Sequence, residues 1–110
     1  MKVRVKEIGD VSVLEMSGRI TIGEGDVLLR EQVGELLGQD RKRILLNLEQ
    51  ISYMDSAGIG ELISCYNRVK EADGTLKLLP SDKVRDLLEI TRFATIFDTF
   101  KDEKEALVSF

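Results

Sequence analysis

The sequence contains no histidine, no tryptophan, one proline and one cysteine. Without imidazole there is no Ser-His or Cys-His nucleophilic pair, and zinc would have to rely on carboxylates and a lone thiol. No catalytic residue, metal site or cofactor is therefore expected. A single cysteine, Cys65, excludes an intramolecular disulfide, and the opening M-K-V-R-V-K lacks the apolar run of a secretory signal, so the expected location is the cytoplasm. No apolar run approaches the roughly 18–20 residues that cross a bilayer, so no membrane insertion is expected. Charge of one sign is also scarce: 16 basic residues stand against 20 acidic ones, for a net charge of −4. Such a chain has no basic footprint for nucleic acid, so direct DNA binding is not expected and a protein partner is. What remains, 110 residues of which 43% are hydrophobic, suffices for one core, and a single domain spanning residues 1–110 is expected.

Residues Val3–Ile8 and Val11–Met16 are rich in Val and Ile and partly alternate, with Gly9-Asp10 between them, which predicts an antiparallel hairpin. A loop with three glycines leads to Asp26, expected to cap a first helix that runs to about Leu37 and stops at Gly38. The I-L-L-N-L run, Ile44–Leu48, is apolar on both faces as a central strand would be. Beyond it Ile59, Leu62, Ile63, Tyr66 and Val69 fall at helical spacing up to Asp73-Gly74. T-L-K-L-L then predicts a strand ending at Pro80. Ser81 is expected to cap a third helix with Val84, Leu87, Leu88 and Ile90 turned inward. Asp102 with Glu105 has capping-box spacing for a last short helix. The order predicts an α/β fold with a mixed sheet and helices packed on it.

The stretch Y-M-D-S-A-G-I-G, Tyr53–Gly60, follows the central strand and opens the second helix. The first N–H groups of a helix have no internal partners, and Asp55 and Ser56 are residue types that satisfy them. Gly58 and Gly60 are poor helix formers that suit a turn approached closely by another backbone or a partner. Asp55 and Ser56 are thus either a cap alone or a functional pair. A phosphate on Ser56 would be tolerated at the positive end of the helix, yet would present bulk and charge to any surface docked on a neutral hydroxyl.

The run N-L-E-Q-I-S-Y-M-D-S-A-G-I-G-E-L, preceded by I-L-L, resembles the signature of the STAS domain of bacterial anti-sigma factor antagonists. The hairpin, S-G-R-I, K-L-L-P and L-L-E-I-T-R-F-A-T-I-F-D match family positions in order, so the resemblance covers nearly the whole chain. It implies a single STAS domain with an N-terminal antiparallel hairpin and about four helices on a mixed sheet, and no enzymatic activity. It also implies phosphorylation at Ser56 by a partner that is both anti-sigma factor and serine kinase, with reversal by a PP2C-type phosphatase. Unphosphorylated protein would bind the anti-sigma factor and release the sigma factor. The implied partner-binding residues are Asp55, Ser56, Ala57, Gly58 and Ile59, and ATP would belong to the kinase. The stretch I-T-I-G-E-G-D-V departs from the family pattern, with an extra pair of glycines and a later Asp26. STAS-like domains also accompany anion transporters and lipid-transport ATPases, so the alternative implied function is a regulatory subunit of such a system.

Cys65, one residue before Tyr66, reads as a half-buried filler, and Arg41–Arg43 as a solvated basic loop able to meet an acidic partner patch. Gly23–Gly25 lacks the lysine and spacing of a phosphate loop. The four Phe residues read as core and C-terminal packing.

Overall fold

In the computed structural model, which describes residues 1–110, a tight turn at Gly9-Asp10 joins β1 (Lys2–Ile8) to β2 (Val11–Ile20). The two pair antiparallel from Lys2 opposite Ser17 to Ile8 opposite Val11. α1 (Gly25–Gly38), β3 (Arg43–Met54), α2 (Ser56–Glu71), β4 (Thr75–Pro80), α3 (Asp82–Ile90) and α4 (Glu103–Val108) follow. The sheet order is β1-β2-β3-β4, with β2–β3 and β3–β4 parallel. The expected mixed sheet, hairpin and four helices are all present.

Both central strands outrun their expected ends. The pairing of β2 with β3 shifts register between Glu15 and Ser17 and again between Gly18 and Arg19. These irregularities absorb the break in alternation around S-G-R-I and E-Q-I-S-Y-M, so that Arg19 still pairs with Tyr53 and Ile20 with Met54. The expected loop after Met16 is consequently the end of β2, and Tyr53 and Met54 belong to β3. Asp26 also differs from expectation. The helix begins two residues earlier, with Glu24 at the cap position making no side-chain bond to the helix N–H groups, and buried Asp26 accepts from the Val27 N–H at 2.8 Å. Thr21 takes over at this end: its carbonyl accepts from the N–H groups of Glu24 and Asp26.

Strand alternation divides the apolar residues between two faces. Leu14, Met16, Ile44, Leu46, Leu48, Leu76 and Leu78 join Leu29, Val33, Leu62 and Val69 in a main core under α1 and α2, which Val84 and Leu88 extend under α3. Val11, Val13, Leu45 and Leu79 meet Ala106 of α4 on the other face. α3 and α4 carry the expected caps: Ser81 Oγ accepts from Val84 N–H at 3.2 Å, and Asp102 from Glu105 N–H at 2.7 Å. Ile90 is a correction, since α3 ends there and leaves it 78% exposed rather than inward. Cys65 is another, being fully buried at the centre of the inner face of α2, while Ile63 and Tyr66 lie at its flanks, partly buried.

Candidate functional site

β3 ends at Met54 and α2 begins at Ser56, so the whole change of direction falls on Asp55, held in extended backbone at φ −95° and ψ −174°. Its carboxylate is divided. Oδ1 accepts from the Gly58 N–H at 2.9 Å, capping α2, and Oδ2 accepts from the Ile22 N–H at 3.0 Å, in the loop between β2 and α1. These backbone donors, Ile22 first and Gly58 next, hold the Asp55 carboxyl below its ordinary value, so it is ionised at neutral pH. The Asp55 N–H in turn reaches the Ile20 carbonyl at 3.4 Å.

This arrangement separates the two polar residues that the sequence left together. Asp55 does the capping. Ser56, the first residue of α2, is exposed, and its hydroxyl makes no hydrogen bond within the chain. Gly58 is required by close approach: a Cβ there would overlap the Ile20 carbonyl oxygen and stand 3.1 Å from Ile20 Cγ2. Gly60 faces open space, with nothing within 4 Å of an added Cβ.

Of the five residues expected at a partner surface, Ser56 is exposed, and Asp55 and Ala57 are half-buried. Gly58 and Ile59 are turned inward, Gly58 against Ile20 and Ile59 into the main core at 6% exposure. The first turn of a helix that packs its inner face on the sheet must point two or three positions at that sheet, and these two occupy them. They therefore shape the turn without offering surface. Ile22, which no sequence reading singled out, is 77% exposed on the loop tied to Asp55. Its signal was an isolated apolar residue in the polar run T-I-G-E-G.

Behind the turn, α1 and α2 are latched by charge. Arg30 Nε lies 2.8 Å from buried Glu61, and Arg68 donates to the Arg30 carbonyl at 3.3 Å. Burial, with the Glu61 carboxylate beside it, pushes the Cys65 thiol up to about 12. The basic run Arg41–Arg43 is engaged within the chain, Arg41 with Glu7 and Arg43 with Asp10, while Lys42 meets Asp40. No three His, Cys, Asp or Glu side chains come together as a metal site, and no helix is long and apolar enough to cross a membrane.

Comparison with known proteins adds to this geometry. Residues 2–106 match the STAS domain. The anti-sigma-B factor antagonist of Bacillus subtilis (strain 168) is 31% identical over 99 residues, covering 89% of each chain. The crystal structure of an anti-sigma factor antagonist from Mycobacterium paratuberculosis aligns at TM-score 0.86 and 18% identity, over 98% of this chain and 92% of that one. The Bacillus cell fate determinant SpoIIAA in its phosphorylated form aligns at TM-score 0.74 and 20% identity, over 98% of both chains. At such identities the two solved structures speak for the fold alone.

Proposed function

The chain belongs to the STAS domain family, and from that premise we propose that it is an anti-sigma factor antagonist whose binding is switched by phosphorylation of Ser56. The observation that carries the switch is the exposed, unengaged hydroxyl of Ser56 at the head of α2, beside a carboxylate already committed to capping. The unphosphorylated protein binds an anti-sigma factor that is also a serine kinase, and the sigma factor is released. The kinase moves the terminal phosphoryl group of its ATP to Ser56 Oγ; the hydroxyl proton leaves and ADP remains with the kinase. A PP2C-type phosphatase returns the hydroxyl by hydrolysis, with water supplying the oxygen of the departing inorganic phosphate.

The physical effect of the phosphate is local. It adds about −1.5 to −2 charges at a helix N-terminus, which favours an anion, and places them beside ionised Asp55. The fold is therefore kept while the docked surface is lost. Because Asp55 holds the cap by itself, modification of Ser56 removes no hydrogen bond from the chain.

The test uses the anti-sigma factor kinases of the same organism, purified individually. With ATP, mass spectrometry finds phosphate on Ser56. Ser56→Ala binds the kinase with or without ATP, and Ser56→Asp binds at least about tenfold more weakly, a difference of about 1.4 kcal/mol. Label on another residue, or equal affinities for the two variants, refutes the switch. Recovery only with detergent-solubilised transporter components would favour the regulatory-subunit reading instead.

A further inference from the structure

Tyr53 stands 36% exposed near the end of β3, three residues before Ser56, and two cations lie within cation–π reach of its ring. The Arg19 guanidinium carbon lies 5.4 Å from the ring centroid and the Lys83 ammonium 6.0 Å from it. Arg19 comes from β2, directly paired with Tyr53, and Lys83 from the first turn of α3. Three elements thus bring two cations to one aromatic residue at the end of the sheet where α2 begins.

Both cations lack an acidic partner in the chain, and the acids around them are turned elsewhere. Glu24 accepts from the Thr21 hydroxyl at 3.2 Å. Asp55 is taken up by the Ile22 and Gly58 amides, and Asp82 faces Arg85 at 3.7 Å. Arg4, Lys6, Arg30, Arg41, Lys42 and Arg43 are ion-paired within the chain, whereas these two cations, gathered at one exposed ring, are left for a partner. Arginine and tyrosine are also among the side chains that interfaces favour, and ring contact holds the cations in position before anything binds.

We propose that Arg19, Tyr53 and Lys83 form a cation–aromatic–cation clamp that docks an acidic segment of the anti-sigma factor, beside the surface read at Ser56. The proposal rests on the function proposed above and extends it. Continuity supports the same partner for both places: Tyr53 and Ser56 flank Met54 and Asp55, and Ile22, exposed on the loop fixed by Asp55, adds an apolar contact at the same end of the sheet. The partner surface that fits carries Asp or Glu side chains beside a pocket wide enough for a phenol. Ser56 gives the contact its on–off control, and the clamp gives it its choice of partner.

The test compares Arg19→Glu/Lys83→Glu with Lys70→Glu/Lys104→Glu, which changes net charge equally but acts at the far end of α2 and on α4. All are titrated against the anti-sigma factor that the wild type binds, at low and high salt, after circular dichroism has shown native folding. The clamp variant is expected to bind at least about tenfold more weakly at low salt and to lose most of the salt dependence, while the control stays within about twofold of the wild type. Equal affinities of the clamp variant and the control, with Ser56→Asp still weakening binding, overturn the clamp and leave the switch standing. Failure of the wild type to bind any anti-sigma factor overturns both.

Discussion

Two glycines two residues apart in α2 give opposite responses to the same added methyl group. Inside a helix, Gly→Ala by propensity alone gains about 1 kcal/mol. Gly60 has open space around it, so Gly60→Ala keeps that gain and raises the melting temperature by about 4 °C, at about 4 °C per kcal/mol for a domain of this size. At Gly58 the new Cβ overlaps the Ile20 carbonyl oxygen and lies 3.0 Å from the carbonyl carbon, which are backbone atoms that no rotamer change can move. Relief requires shifting the first turn of α2 off the end of β2, and overpacking of this kind costs about 3 kcal/mol, at the upper part of its usual range. The net expectation for Gly58→Ala is a loss of about 2 kcal/mol and a melting temperature lower by about 8 °C. Urea unfolding followed by circular dichroism reads both variants, with the midpoint falling for one and rising for the other at constant slope. A Gly58→Ala protein as stable as the wild type would show that the approach of α2 to Ile20 is not the tight contact described, and would remove the reason for glycine there.

Three further outcomes follow from the same geometry. The Asp55 carboxyl titrates below the ordinary value of 3.8, so its stabilising contribution is present above that value and disappears as pH falls through the folded-state value. Asp55→Asn, which offers an amide where one of the two N–H donors needs an acceptor, is less stable at neutral pH and shows a shallower loss of urea midpoint between about pH 5 and about pH 2; an unchanged acid slope contradicts the carboxylate's role. Cys65, fully buried with its thiol at about 12, does not react with an aromatic disulfide reagent at about pH 8 until denaturant is added, and prompt native labelling would contradict its burial. Leu46→Ala, truncating a fully buried side chain of the central strand, costs about 2–5 kcal/mol in urea unfolding, and a cost below about 1 would place Leu46 outside a close-packed core.

The elements with clean local signals were legible in the sequence. Ser81 and Asp102 cap their helices as their spacing predicts, because an N-cap bond spans only three residues and needs nothing from the rest of the fold. The ends of β2 and β3 were not legible, since S-G-R-I and E-Q-I-S-Y-M break the two-residue period and become strand only through register shifts against each other. Asp26 was misread for a related reason: Thr21, five residues away, supplies the acceptor at the head of α1. At the candidate site the motif identified Asp55 and Ser56 but could not divide their roles, because the second acceptor bond of Asp55 reaches Ile22, 33 residues back in the chain. The inward turn of Gly58 and Ile59 likewise depends on Ile20, which the sequence does not show beside them.

The forked carboxylate of Asp55 bears on how a partner's affinity arises. Its two oxygens fasten a loop residue and a helix start, so Ile22 and Ser56 sit on one rigid body although 34 positions separate them in the chain. A protein that touches both finds its epitope already assembled, and association has little backbone left to freeze. The backbone entropy of that patch was lost during folding, so less of the free energy of each new contact is spent on ordering it and more remains for the lifetime of the complex.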